Sequence, residues 1–275
     1  MTGGARTAPH TQDRLALALA LDRRVAIGGA TETFAIPEGC VILNAELPDV
    51  HHLNEVVLDA PLPAAFDAQA LVTLSDRWLA GVSHRFVRVD DKAGAERLVP
   101  ELVAAGWERS RTVMMVRGAE APPAPDPRAR TITESEHYTV MLANLSAADY
   151  RVDAVPGLPR LLVDAQFAML AGTPSLAFGA GEDGGLQSMC ELFLDPDVKG
   201  VRMAMVEQVG TLPGYRERGL AKAVVGAAIA AARDWGAELI IVPADADDWP
   251  QVIYAGLGFE PVGTQVQFTS RGGRT

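Results

Sequence analysis

The chain has 275 residues, of which 48% are hydrophobic and 21% charged, and its formal net charge is −11. This length suits two domains of about 150 residues each, and the composition excludes a fibrous or disordered protein. The negative charge argues against nucleic acid and anionic membranes as partners and favours, weakly, a cationic amine.

The first apolar run in the sequence is LALALALDR, after Arg14. It is too short to span a bilayer and lacks a cleavage site of small residues, so we expect neither an anchor nor a signal peptide. The segment HHLNE, from His51, lacks the HExxH spacing of a zinc protease, and we interpret it as a polar loop or helix surface without a metal. Cys40 and Cys190 lie far apart in sequence, which fits a reducing cytoplasm.

The first half of the chain predicts a strand, a helix and a second strand. The strands are HRFVRVD and TVMMVRG, and the helix covers Ala93 to Trp107, where apolar residues recur three and four positions apart. The proline-rich stretch AEAPPAPDPRA follows, and its prolines disfavour both helix and sheet. The sequence therefore predicts a first domain at 1–120, a linker at 121–129 and a second domain at 130–275.

The second half predicts the same order of elements at greater length. The segment RTITESEHYTVMLANLSAADY is interpreted as a strand and polar turn, and strands are predicted at PSLAFGA, LQSMCELFL, VRMAMVEQVGT and ELIIV. A helix precedes ELIIV, and a hairpin-like stretch ends at Phe268. Cys190 alternates with apolar neighbours and is predicted to be a buried strand residue without a chemical role. The two halves are candidate structural repeats.

The segment Val206 to Gly236 predicts a strand that runs through a tight turn into a long helix. Gly236 stands where a helix C-cap is expected, and one helix face carries Leu220, Val224, Ala227, Ala231 and Trp235. Small residues at the turn allow close approach of a ligand, and free amides at a helix start bind anions, so the turn predicts a pyrophosphate site. The missing GKS or GKT ending excludes a P-loop, and no GxGxxG indicates a dinucleotide fold.

Two motifs in this half resemble those of the GNAT superfamily of N-acetyltransferases. RxxGxA, here Arg216 to Ala221, is similar to the acyl-CoA pyrophosphate loop, and YAGLGF, Tyr254 to Phe259, is similar to the family's YxxxGF segment. The resemblance covers about half of the chain. It implies an α/β fold of the α+β type, with two GNAT-like domains that are each a mixed, mostly antiparallel twisted sheet flanked by helices.

In the C-terminal domain the resemblance implies a splayed central strand pair that holds acetyl-CoA, the acyl donor. The residues that it places against the donor are Val209, Gly210, Thr211, Arg216, Glu217, Arg218, Gly219, Leu220, Ala221 and Asp247. Asp247 stands where the family often has asparagine, so this match is inexact. N-capping of the following helix by the aspartates of PADADDWP is the alternative interpretation.

Two residues are candidates for acid–base chemistry. A two-residue period places Val201, Met203, Met205, Glu207, Val209 and Thr211 on one strand face, which makes Glu207 a lone carboxylate in an apolar row. It must open to the cleft, pair with a cation or become neutral, and we predict a general base, with a salt bridge as the alternative. By resemblance, Tyr254 is the general acid; alternatively it is a core residue packed on Phe259.

The first half resembles a degenerate GNAT repeat, as in tandem members such as mycothiol synthase, and lacks the CoA loop, so no cofactor is predicted there. It is expected to wall the substrate side of the cleft. Trp78 and His84 are candidate contributors, with plain packing as the alternative.

The resemblance implies an N-acetyltransferase that moves an acetyl group from acetyl-CoA directly to a primary amine of a small molecule or peptide. A non-catalytic acyl-CoA-binding regulator is the alternative, and protein N-termini or lysines remain open as acceptors. The segment Gln265 to Phe268 is a candidate edge for a homodimer.

Overall fold

The computed structural model describes residues 11–147, 157–182 and 184–271. The elements of the first half are α1 (Thr11–Gly28), β1 (Glu32–Ile36), β2 (Gly39–Leu43), β3 (Glu55–Leu58), α2 (Ala68–Trp78), β4 (His84–Val89), α3 (Lys92–Ala104) and β5 (Glu108–Arg117). Those of the second half are β6 (Ala129–Thr131), α4 (Glu134–Ala147), α5 (Leu158–Gly172), β7 (Ser175–Ala180), β8 (Ser188–Val198), β9 (Val201–Thr211), α6 (Leu220–Trp235), β10 (Leu239–Asp245), α7 (Pro250–Gly256) and β11 (Glu260–Arg271).

The eleven strands found in the described part of the chain form one sheet, in the order β1-β2-β3-β4-β11-β5-β10-β9-β8-β7-β6. The pairing is antiparallel except for β3 with β4 and β9 with β10. The sheet is therefore mixed and mostly antiparallel, with helices on both faces, as the sequence predicts.

The two halves repeat one arrangement and exchange their last strands. In each half an antiparallel run, β1-β2-β3 or β7-β8-β9, is followed by a helix and a parallel fourth strand, β4 or β10. The last strand of the first half, β5, then pairs with β10 of the second, and the last strand of the second half, β11, pairs with β4 of the first. The two exchanged strands also pair with each other.

The core lies on both faces of this sheet. On one face α6 and α7 cover the strands of the second half, and α2 and α3 cover those of the first. On the other face α1 packs on β5, β8, β9 and β10, while α4 and α5 cover the outer strands. Alternation along each strand supplies both faces: Ile240 packs toward α6 and Ile241 toward α1.

Several predictions from sequence are confirmed locally. Strands occupy HRFVRVD, TVMMV and the four apolar segments of the second half, and α3 and α6 lie where the periodicity placed them. Gly236 ends α6 with φ 91°. The buried face of α6 is centred on Ala228 and Ala232, whereas Ala227 and Ala231 are partly buried.

Other predictions were wrong. The segment after Thr131 is not a polar turn but α4, whose first turn is capped by Thr133 and Glu136 in reciprocal hydrogen bonds. The final stretch is not a hairpin but the single strand β11. Because β4 and β5 pair with it on both sides, Gln265 to Phe268 is not an edge on which a second copy can pair. Among the described residues, no helix is long and apolar enough to cross a membrane.

Candidate active site

A cleft opens where β9 and β10 separate. The two strands pair in parallel only from Met203 with Leu239 to Met205 with Ile241, and beyond that point they diverge. The resulting cavity has a volume of about 690 Å³ and is lined by the end of β9, the turn before α6, α4, and α7 with its preceding loop. The splayed strand pair therefore leaves space for a ligand the size of a nucleotide thioester.

A β-bulge at Gln208 shapes the wall of this cleft. Gln208 has φ 51°, and the register with β8 shifts between the pair Glu191–Glu207 and the pair Met189–Gly210. The predicted two-residue period therefore fails after Glu207. Val209 packs on the α6 side of the sheet, and the Thr211 hydroxyl lies 2.9 Å from that of Ser188.

The turn before α6 presents backbone groups to the cleft. Gly219 is the N-cap of α6 in the left-handed conformation, with φ 78°, and supplies no side-chain cap. A Cβ there would meet only Arg128 Nη2, at 3.6 Å, so the space in front of the helix is open. An uncapped helix start with open space before it is suited to a phosphate group.

Most of the residues predicted to hold the donor line this one cleft. They are Val209, Gly210, Thr211, Arg216, Glu217, Gly219, Leu220 and Ala221. Arg218 lies apart from them, because its guanidinium pairs with Glu182 at 2.9 Å and covers the ring of Tyr215. Asp247 forms an ion pair with Arg111, and its neighbour Asp248 lines the cleft instead. The cap of α7 is Trp249, which supplies no side-chain hydrogen bond, so N-capping by aspartate was wrong.

A second cavity, of about 350 Å³, lies on the α1 side of the sheet and is lined by both halves of the chain. Glu207 lines this cavity and Gln208 lines both cavities, so the two cavities adjoin at the bulge. Burial, and then the carboxylates of Asp22 and Glu191, raise the pKa of Glu207 to about 8. No ion pair to Glu207 is found among the described residues, which excludes the predicted salt-bridge alternative there.

Tyr254 lies on α7, on the opposite wall of the cleft from β9. It lines the cleft, is 5% exposed, and its ring packs against Phe259 with centroids 6.2 Å apart. Burial, and then the charge of Glu207, raise the pKa of its hydroxyl. The neutral phenol is therefore a proton donor that faces the cleft from a fixed ring.

Comparisons with known proteins agree with this geometry. Residues 140–258 match the family model described as acetyltransferase (GNAT) family. The chain carries a GNAT domain. A solved structure of a GCN5-related N-acetyltransferase from Kribbella flavida is 22% identical, with a TM-score of 0.62 over 94% of this chain and 96% of that one.

Two further solved structures share the fold. A protein of unknown function from Staphylococcus epidermidis has a TM-score of 0.65 at 10% identity, over 86% of this chain and 92% of that one. A GCN5-related N-acetyltransferase from Sphaerobacter thermophilus has a TM-score of 0.55 at 15% identity, over 97% and 95%. No curated protein matches the chain in sequence. The GNAT family transfers acyl groups from acyl-CoA. The three solved structures share the fold over both halves of this chain.

Sequence reasoning missed a polar network behind the bulge of the GNAT domain. Gln208 Nε2 donates to Gln166 Oε1 at 3.1 Å, and Gln166 Nε2 donates to Glu191, which is fully buried. The other oxygen of Glu191 lies 2.9 Å from His137 Nε2. The network joins α4, α5, β8 and β9, and no local pattern in the sequence reveals it.

The interpretation of HHLNE as a polar loop or helix surface holds for His51, which is exposed in a short 3-10 helix, but was wrong for Glu55. Glu55 is 0% exposed at the start of β3 and forms an ion pair of 2.6 Å with Arg88, which also pairs with Asp22. Burial raises the pKa of Glu55 to about 7 and lowers that of His52 to about 4. Both residues line the second cavity.

The other candidates of the first half lie outside the two cavities. Trp78 packs against Phe34, with ring centroids 5.2 Å apart. His84 is 2% exposed, and its Nε2 lies 3.1 Å from the carbonyl of Asn54. The helix α2, which corresponds to α6, is capped by the Asp67 carboxylate. A carboxylate there occupies the position that a phosphate would take at α6.

Proposed function

We propose that the protein is an N-acetyltransferase that moves an acetyl group from acetyl-CoA directly to a primary amine of a small molecule or peptide. One observation carries the proposal: the cleft of the GNAT domain and the second cavity adjoin at Gln208, which lines both, and its neighbour Glu207 lines the second. A donor in the first space and an amine in the second would react beside the carboxyl group of Glu207. The free thiols of Cys40 and Cys190 support a reducing compartment, the cytoplasm.

The cleft fits the proposed donor. Its volume, of about 690 Å³, suits a ligand of this size, and the amides at the start of α6, with Arg216 beside them, suit a pyrophosphate. The pantetheine arm would lie along β9, next to Val209 and Thr211. Acetyl-CoA supplies an activated thioester, and its thiol is the leaving group.

The protein's groups divide the reaction between them. Glu207 takes the proton that the ammonium group must lose before its nitrogen can attack the thioester carbonyl. The backbone amide near Val209 stabilises the negative oxygen as the new C–N bond forms. When the C–S bond breaks, Tyr254 gives its proton to the sulfur. The second proton that the nitrogen loses restores the tyrosine, and the products are an amide and free CoA, with one proton left on Glu207.

The test is release of free thiol from acetyl-CoA in the presence of a broad panel of amines, with the acetylated product identified by mass spectrometry. Glu207→Gln and Tyr254→Phe should each lower kcat by about a hundredfold, with acetyl-CoA binding unchanged by calorimetry. Unchanged turnover in both variants would remove the two residues from the reaction. Binding of acetyl-CoA without thiol release for any amine would instead indicate a regulator.

A further inference from the structure

The second cavity extends well beyond Glu207. It reaches across β9, β10, β5, β11 and β4 and is closed by α1 and α5. The part remote from β9 is built by the first half of the chain and contains Asp22, His52, Glu55 and Arg88. An amine that reacts at Glu207 therefore has room to carry a further group toward this part.

The charges of the cavity lining favour a cation. Four carboxyl groups line it, those of Asp22, Glu55, Glu207 and Asp245, against two guanidinium groups. Arg88 is already paired with two of the carboxylates, and Arg111 pairs with Asp247, outside the lining. The lining therefore has more carboxyl groups than unpaired guanidinium groups, and a bound ammonium group would stabilise the ionised forms of these carboxyl groups.

Two buried acceptors in the remote part have no partner among the described residues. Glu55 Oε2 belongs to a residue that is 0% exposed, and His52 Nε2 is likewise buried and unpaired. In the tautomer with its proton on Nδ1, His52 Nε2 accepts a hydrogen bond. Arg88 Nε is also unpaired, but its guanidinium already has two anionic partners. Buried acceptors without donors are costly, so a ligand that brings donors would be stabilised here.

We propose that the acceptor is a diamine or polyamine, whose reacting amine lies at Glu207 and whose second ammonium group is bound by Glu55 and His52. An ammonium group has three hydrogen-bond donors and no acceptor, so it can donate to both of the unpaired acceptors in the remote part of the cavity. The first half of the chain thereby contributes the residues that select the substrate. This inference rests on the proposed acetyl transfer at the same cavity.

The test is a set of matched amines offered to the wild-type protein with acetyl-CoA. Aliphatic diamines of three to eight carbons are compared with the monoamine and the amino alcohol of the same length. At the best length we expect kcat/KM for the diamine to exceed that for both analogues by about tenfold or more, since a buried charge-assisted hydrogen bond is lost in each analogue. Equal kcat/KM values for the three amines would overturn the proposal. A preference for the amino alcohol would also overturn it, because the remote part would then bind a hydroxyl group rather than an ammonium group.

Variants place the effect at the remote end of the cavity. Glu55→Gln and His52→Ala should each reduce the ratio of diamine to monoamine kcat/KM toward one, whereas Glu32→Gln, on the exposed strand β1, should leave the ratio unchanged. A ratio that survives both substitutions contradicts the proposed contacts. Thermal unfolding shows whether each variant is folded, and the wild-type comparison stands if one is not.

A binding measurement separates this inference from the proposed function. Calorimetry of each diamine of the set with the protein and CoA requires no turnover. Binding that is lost in Glu55→Gln supports the diamine site even if no thiol is released with any amine. Thiol release with monoamines, together with no diamine binding, supports the acetyltransferase and overturns the diamine site.

Discussion

At the scale of single residues, Glu207 is a carboxyl group that the folded chain keeps largely protonated at neutral pH. Burial raises its pKa to about 8, so its ionised, basic form increases as the pH rises through that value. We expect kcat with a saturating amine to rise between about pH 7 and 9. In Glu207→Gln the residual kcat should no longer rise over this pH range. If the variant keeps the rise, a group other than Glu207 titrates.

The same shift predicts how stability depends on pH. The pKa of Glu207 is raised from 4.5 to about 8 on folding, so its contribution to stability is present below pH 4.5 and is lost as the pH rises through 8. Glutamine has no charge to bury. We therefore expect the Tm of Glu207→Gln, relative to wild type, to be higher at pH 9 than at pH 5, as measured by differential scanning calorimetry. An equal difference at both values would mean that Glu207 is not shifted.

Gln208 is held in place by side chains that determine which end of its amide is free. Gln166 Nε2 donates to Glu191, so Gln166 presents its Oε1 to Gln208. Gln208 must then present Nε2 to Gln166, and its own oxygen has no partner among the described residues. We propose that this oxygen orients the attacking amine.

Gln208→Gly tests this positioning role, because glycine keeps the left-handed backbone and removes the whole side chain with its amide group. We expect kcat/KM for the amine to fall by about tenfold, with acetyl-CoA affinity unchanged. Lys199→Gly is the matched control, since Lys199 has φ 53° in an exposed turn. Equal effects of the two substitutions on kcat/KM would rule the role out.

At the scale of elements, the start of α6 depends on a residue without a side chain. Gly219→Glu would place a carboxylate in front of the helix, where the diphosphate of the donor is proposed to bind. We expect acetyl-CoA binding, in the micromolar range for wild type, to become undetectable by calorimetry. Gly219→Asn is the control, because asparagine tolerates a positive φ and adds no charge. If both variants lose binding, backbone strain rather than charge is responsible.

Elements differ in how far the sequence predicts them. The turn and α6 follow from adjacent residues: a strand, a left-handed glycine, an apolar helix face and Gly236 as the C-cap. The bulge at Gln208 does not follow from adjacent residues. The alternation of residues along the sequence continues through Gln208, and its positive φ arises only where β9 pairs with β8. The burial of Glu55 could not be predicted either, since its partner Arg88 lies on another strand and no residue near HHLNE indicates the ion pair.

At the scale of the whole molecule, the exchange of β5 and β11 joins the halves more closely than a linker suggests. A fragment of residues 130–275 would lack β5, the strand that pairs with both β10 and β11. We expect this fragment and residues 1–120 to be unfolded or aggregated when expressed separately, and to give a folded complex when coexpressed, as followed by circular dichroism and size-exclusion chromatography. Cooperative melting of either fragment alone would instead support the two independent domains that the sequence predicts.

The exchange itself could not be predicted from the sequence. The four strands β4, β5, β10 and β11 are all suited to antiparallel pairing, and either partner choice buries the same alternating apolar residues. A repeat seen in sequence therefore predicts the elements of each half but not which half receives each final strand. The second cavity, which residues of both halves line, follows from that arrangement.

The position of β11 also has a consequence for how the protein is synthesised. On the ribosome, β4 and β5 emerge early, but the strand that separates them is translated only after everything from β6 to α7. At typical rates this leaves two apolar strands without their native neighbour for on the order of ten seconds. During that interval β4 can pair directly with β5, which would exclude β11. Nascent chains of this protein should therefore depend on a chaperone that binds these strands until β11 is available.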